Sequence, residues 1–124
     1  MNQKLMALLV CDATAMAPDG KNTLYGIFDI IFCRELPLRY AQFSVYWKLF
    51  SEESGEISLH IEKPDGSRLL TPEKMKMDEG IQQIQGVYSF GNVEFPISGP
   101  YRIVMEFNDK VIGDTTLLVK IVQS

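Results

Sequence analysis

The chain has 124 residues, 46% of them hydrophobic and 23% charged, with a formal net charge of -4. That length sets one domain, residues 1–124, able to bury a core without disulfide or metal staples. The ordinary composition argues against disorder, and an acidic chain with no Lys/Arg cluster argues against a nucleic-acid partner.

The first element is Leu5 to Cys11, apolar on both faces. Lys4, this run and Ala15-Met16-Ala17 imitate a signal peptide. The apolar stretch is at the lower limit of length, however, and Asp12 interrupts it. It reads instead as the first β-strand of a cytoplasmic protein. Pro18-Asp19-Gly20-Lys21-Asn22 then supplies a preset φ, a side-chain acceptor and a positive-φ position, the ingredients of a turn.

Leu24 to Phe32 follows, rich in β-branched and aromatic residues and too short for a membrane span of about 20 residues. It reads as a strand pairing with Leu5–Cys11. If the hairpin centres on the turn, Asp12 lies opposite Asp29. One face then carries Leu9, Cys11, Ala13, Phe28, Ile30 and Phe32, taken as the core face. The other carries Leu8, Val10, Asp12, Ile27, Asp29 and Ile31. A slip of one residue would exchange them. Cys11 and Cys33 fall on opposite sides of the hairpin and read as two buried free thiols.

Arg34 to Leu38 is a proline-marked crossing. Tyr40 to Phe50 alternates cleanly, with Phe43, Val45, Trp47 and Leu49 inward and Trp47 the largest anchor. Beyond the polar turn Ser51–Gly55, Ile57, Leu59 and Ile61 alternate with Ser58, His60 and Glu62. Pro64-Asp65-Gly66 repeats the first turn's tripeptide and leads into Ser67–Leu70. Thr71 to Gly80 carries both a helix-start signal at Thr71-Pro72-Glu73 and a strand-like alternation at Met75 and Met77. The expectation is a loop with at most one helical turn. Ile81 to Phe90 is a strand, and Gly91-Asn92 shifts its alternation, the mark of a bulge or sharp bend. After Pro96–Pro100, Ile103, Met105 and Phe107 alternate, Asn108-Asp109-Lys110 turns, and Thr115, Leu117, Val119 and Ile121 close the domain.

Strands at short spacing with turn signals between them and no long helix predict an all-β fold, an antiparallel β-sandwich of seven or eight strands. Gly99-Pro100-Tyr101, leading into a late strand, resembles the tyrosine corner of immunoglobulin-like sandwiches. The whole chain also resembles a family of small uncharacterised prokaryotic proteins. The resemblance lies in Cys11-Asp12, Gly20-Lys21, the Leu-x-Gly-x-Phe-Asp run at Leu24–Asp29 continued by Ile30-Ile31-Phe32, Pro64–Gly66, Phe95-Pro96 and Gly99–Tyr101. It implies an immunoglobulin-like sandwich and carries no known activity.

Three constellations bear on chemistry. Asp12 and Asp29, if cross-strand neighbours, would attract a cation or small ligand; the bland alternative is carboxylates capping backbone donors or pairing with Lys21. His60, the single histidine, alternates onto the polar face with Ser58 and Glu62 and reads as an exposed surface residue. Residues two apart on a strand stand about 6.5–7 Å apart, too far for a Ser-His-acid relay. Met6, Met16, Met75, Met77 and Met105 are scattered and read as core filler, and Gly80, Gly86 and Gly91 form no phosphate loop.

The leading expectation is a non-enzymatic interaction module without metal or cofactor. Its apolar hairpin strip (Leu8, Val10, Ile27 and Ile31) would meet a second copy or another protein, with no nucleic acid or membrane partner. In the alternatives, Thr71–Gly80 covers the strip, or Asp12 and Asp29 bind a cation or small molecule.

Overall fold

The computed structural model describes residues 3–72, 74–78 and 82–122. Among them are ten strands and no helix: β1 (Gln3–Met16), β2 (Asn22–Ile27), β3 (Ile30–Cys33), β4 (Leu38–Ser51), β5 (Gly55–Glu62), β6 (Arg68–Leu70), β7 (Met75–Met77), β8 (Gln82–Phe95), β9 (Gly99–Phe107) and β10 (Lys110–Ile121). One sheet runs β2-β1-β4-β8. The other runs β3-β10-β9-β5, and β6 and β7 both pair with the remaining side of β5.

The expected alternations place the core. Phe43, Val45, Trp47 and Leu49 of β4 face Ile57, Leu59 and Ile61 of β5 and Tyr101, Ile103, Met105 and Phe107 of β9, all buried. Period-two patterning puts one apolar face of each sheet against the other. Full burial of such a side chain stabilises by about 1.5–3 kcal/mol. Both Pro-Asp-Gly turns close alike. Gly20 and Gly66 take φ values of 88° and 90°, and the Asp19 and Asp65 carboxylates accept the backbone N–H of Lys21 and Ser67 at 3.1 and 2.9 Å.

Two glycines are set by close approach. The Trp47 indole lies on Gly86, where an added Cβ would stand 2.4 Å from the ring, and Leu5 packs onto Gly113, where the corresponding gap is 2.5 Å. These contacts bring β1 against β10 and let the largest core side chain lie flat on its own sheet.

The tyrosine corner is present. Tyr101 donates its hydroxyl to the Ile97 carbonyl at 2.6 Å and accepts the Ile97 N–H at 3.2 Å. At Gly91-Asn92 the alternation changes phase, with Asn92 at φ 52°, yet the register with β4 does not slip. Leu38 and Tyr40 change phase along with Val93 and Phe95, so both strands bend together rather than forming a one-sided bulge.

Four expectations need correction. Leu24–Phe32 is not one strand: β2 pairs with β1, whereas β3 pairs with β10 in the opposite sheet. That split, with β7 as a further short strand, raises the count from seven or eight to ten. The sandwich is not wholly antiparallel either, because the crossing leaves β3 parallel to β10. Finally, Met75–Met77 is a strand on β5 with Met77 buried, so the strand alternation outweighs the helix-start signal. Residues 73, 79 and 80 of the Thr71–Gly80 stretch, and residue 81 at the head of the expected Ile81–Phe90 strand, lie outside the described residues.

Candidate functional site

The chain changes sheets within two residues. The Phe28 N–H donates to the Val10 carbonyl at 2.9 Å, the last link to β1, and the Asp29 carbonyl accepts the Leu118 N–H at 2.9 Å, the first link to β10. Gly26 makes the turn out of β2 at φ 65°. It also makes room for Asp12: a Cβ there would meet the Asp12 carboxylate at 2.5 Å. The register pairs Cys11 with Ile27 and Ala13 with Tyr25, which puts Asp12 opposite Gly26 and not opposite Asp29.

Asp12 accepts a hydrogen bond from the Tyr40 hydroxyl at 3.1 Å. Burial, and then the bond to this carboxylate and its charge, hold the Tyr40 phenol above its usual value. Both residues line a depression of about 460 Å³ with Phe28, Ile31 and Phe32. Asp29 lines a different one, of about 240 Å³, beside Leu8, Thr115 and Thr116. Ile27 and Phe28 border both and form the wall between them. Asp12 and Asp29 therefore do not share a site, and among the described residues no group of three or more His, Cys, Asp or Glu side chains is placed to hold a metal ion. Lys21, the sequence-predicted partner, pairs with Asp19 instead at 3.8 Å.

The apolar strip is redistributed. Val10 and Ile31 are core residues, 3% and 5% exposed, and Leu8 packs against that core, so only Ile27 of the four stands clear in solvent. The register explains this. With the crossing at Phe28–Asp29, Ile31 points between the sheets and its neighbours Ile30 and Phe32 point out. The exposed apolar residues of this flank are Tyr25, Ile27, Ile30 and Phe32, at 53%, 58%, 37% and 60%. Ile30 and Phe32, expected on the core face, are therefore on the outside, and the signal in the sequence is the Gly26 turn inside an otherwise strand-like run. Thr71, Pro72 and Lys74 do not cover this flank; they border the outer face of β5 beside Ser58 and His60. Cys11 and Cys33 are both buried free thiols.

His60 is not a surface residue. It is 4% exposed, and its Nε2 lies 2.8 Å from Glu62 Oε2, so two side chains leaning together close the strand spacing. Ser58 donates to Glu106 at 3.2 Å, so the three residues form no relay. Glu62 continues to Arg102 at 3.5 Å, and Arg102 reaches Asp114 at 2.6 Å. The His60 hydrogen bond, and after it the charges of His60 and Arg102, hold the Glu62 carboxyl below its usual range against the opposing effect of burial. A depressed acid favours the fold above its unfolded pKa of about 4.3 and loses that contribution as pH falls through the lower folded value. Cys11 and Tyr88 behave in the opposite sense: burial raises both, so their contribution holds below about pH 8.5–10 and is lost as pH rises further. Urea midpoints should be level near neutrality and fall at both extremes, with Glu62→Gln flattening the acid limb. An unchanged acid limb in that variant would remove Glu62 from the account.

Two packed sheets, the β3–β10 closure and the tied Tyr101 define an immunoglobulin-like β-sandwich with an apolar flank at its sheet crossing. The chain belongs to a family of unknown function, DUF6941, which it matches over residues 6–120. No curated protein matches the sequence. Among solved structures it is similar to an alkylpurine DNA glycosylase, AlkC, of Pseudomonas fluorescens bound to DNA containing an abasic site analog. The identity is 12% and the TM-score 0.57, over 95% of this chain and 30% of that one. The chain thus spans less than a third of that enzyme, and the likeness is one of fold. An immunoglobulin-like protein of Pseudomonas aeruginosa matches at 12% identity and TM-score 0.46 over 96% and 97% of the two chains. The C-terminal domain of wzt matches at 13% and 0.47 over 98% and 74%. Among the described residues no helix is long and apolar enough to cross a membrane.

Proposed function

We propose that the protein is a non-enzymatic interaction module whose working surface is the β2–β3 flank. The observation that carries this reading is the pair Ile27 and Phe32, 58% and 60% exposed on either side of the crossing. Large apolar side chains clustered in solvent beside a depression are the usual mark of a contact surface. In this reading the protein works by binding in the cytoplasm, where Cys11 and Cys33 stay reduced.

A benzophenone side chain at Tyr25 tests it by photo-cross-linking in the native host, with Ile27→Glu/Phe32→Glu as the comparison. A discrete cross-linked protein that disappears in the folded variant supports the reading. The same products from a probe at Lys110, or no loss in the variant, would overturn it.

A further inference from the structure

The free edge of β3 has a specific chemistry. The Asp29 and Cys33 carbonyls accept N–H groups from Leu118 and Val122 of β10. A parallel ladder repeats every two residues, so 29, 31 and 33 turn their backbone groups to β10. Ile30 and Phe32 then turn theirs away, to the open edge. Sheet edges are ordinarily blunted by charge, proline or a bulge. The β6–β7 edge is interrupted at Pro72 and carries Lys74 and Lys76, β8 carries Glu94 and bends at Asn92, and β2, uncharged like β3, is interrupted by the left-handed Gly26 at φ 65°. Within Ile30–Cys33 there is no charge, no proline and no bulge.

A strand laid on that edge would alternate its side chains in and out. The outward ones would lie beside Ile30 and Phe32. The inward one would enter the depression at Phe28, Ile31 and Tyr40, where it meets the Asp12 carboxylate. Among the described residues no Lys, Arg or His lies within ion-pair distance of Asp12. A long basic side chain matches this pocket: its aliphatic stem suits the apolar wall, its head suits the carboxylate, and the two aromatic rings favour a cation.

We infer that β3 receives an extended partner segment of the pattern apolar-basic-apolar by strand addition, with the basic side chain seated against Asp12. This rests on the interaction reading and names its partner chemistry. Only two residues of β3 offer edge bonds, so side-chain contacts in the depression must supply much of the affinity.

The test is a titration by backbone amide NMR of the full chain with the peptide acetyl-Ser-Thr-Ile-Arg-Ile-Thr-Ser-amide. Binding should shift the Ile30 and Phe32 amides most. Replacing the peptide's Arg with Glu, or N-methylating its backbone, should weaken binding at least tenfold. Asp12→Asn should weaken the Arg peptide about tenfold but a Leu-substituted peptide little, a difference that mere loss of structure would not produce. Ile30→Pro, which removes an edge N–H that β10 does not use, should abolish binding while the β10 amide shifts persist; Phe32→Ser is the second variant should the proline unfold β3. Three results would overturn the inference: no binding at millimolar peptide, equal binding to the Arg and Glu peptides, or a dimer in sedimentation that Ile30→Pro dissociates. If the Tyr25 cross-link still depends on Ile27 and Phe32 in any of those cases, the flank remains a contact surface and only strand addition is lost.

Discussion

Gly86→Val is expected to lower stability by about 3 kcal/mol or more, at the upper end of overpacking costs. The Cβ of any residue there would stand 2.4 Å from Trp47 Cζ2 and 2.8 Å from Cε2. The ring cannot give way, because Trp47 is 1% exposed and enclosed by both sheets. For a chain of this size the melting temperature should fall by roughly 10 °C. Gly91→Val is the control. It is a neighbouring glycine of the same strand, but its nearest atom is the Ala41 carbonyl at 3.8 Å, so its melting temperature should barely move. Adding Trp47→Leu to Gly86→Val should recover part of the loss, since the two residues share one volume and their effects cannot be additive. Equal melting of the two glycine variants would show that Gly86 is not the seat of the indole.

Tyr101→Ala should cost about 3–5 kcal/mol, the range for removing a large buried aromatic. Tyr101→Phe divides that figure. It keeps the edge-on contact with Phe95, whose ring centroid lies 5.0 Å away at 90°, and loses the two bonds to Ile97. Those bonds tie the 96–98 crossing down to the start of β9, and leaving the Ile97 carbonyl and N–H without them should cost about 1–3 kcal/mol. Denaturant midpoints of both variants, at unchanged slope, measure the two parts. If Tyr101→Phe matches the wild type, the corner contributes only its ring.

What the sequence made legible was whatever period-two alternation records. Phe43 to Leu49, Ile57 to Ile61 and Ile103 to Phe107 alternate because one face of each is core, and each lies where that pattern puts it. The Pro-Asp-Gly turns and Tyr101 were readable for the same kind of reason, since local chemistry fixes local shape. Leu24–Phe32 was misread because its two halves are apolar for different reasons. The β2 half sits at a sheet edge with Tyr25 and Ile27 in solvent, and the β3 half has one side chain in the core and two outside. No alternation marks the change of sheet, and only Gly26 records it. Once that join is missed the faces exchange, which is how Val10 and Ile31 came to be placed on an exposed strip. His60 was misplaced for a related reason. Alternation gives the face of the sheet but not what lies over that face, and here Thr71, Pro72 and Lys74 border it.

The parallel pairing of β3 with β10 also orders events in time. Ile30 and Leu118 are partners across most of the length of the chain. Every other link in the two sheets joins segments nearer in sequence, and contacts between distant segments carry the largest loop-closure cost before they return any stabilisation. Loop closure makes the β3–β10 seam the costliest link of the sandwich to form, and the flank is expected to close late in folding. A partner segment held there, as inferred above, would act as a latch on the finished protein: it would slow the departure of β3 without hastening its arrival.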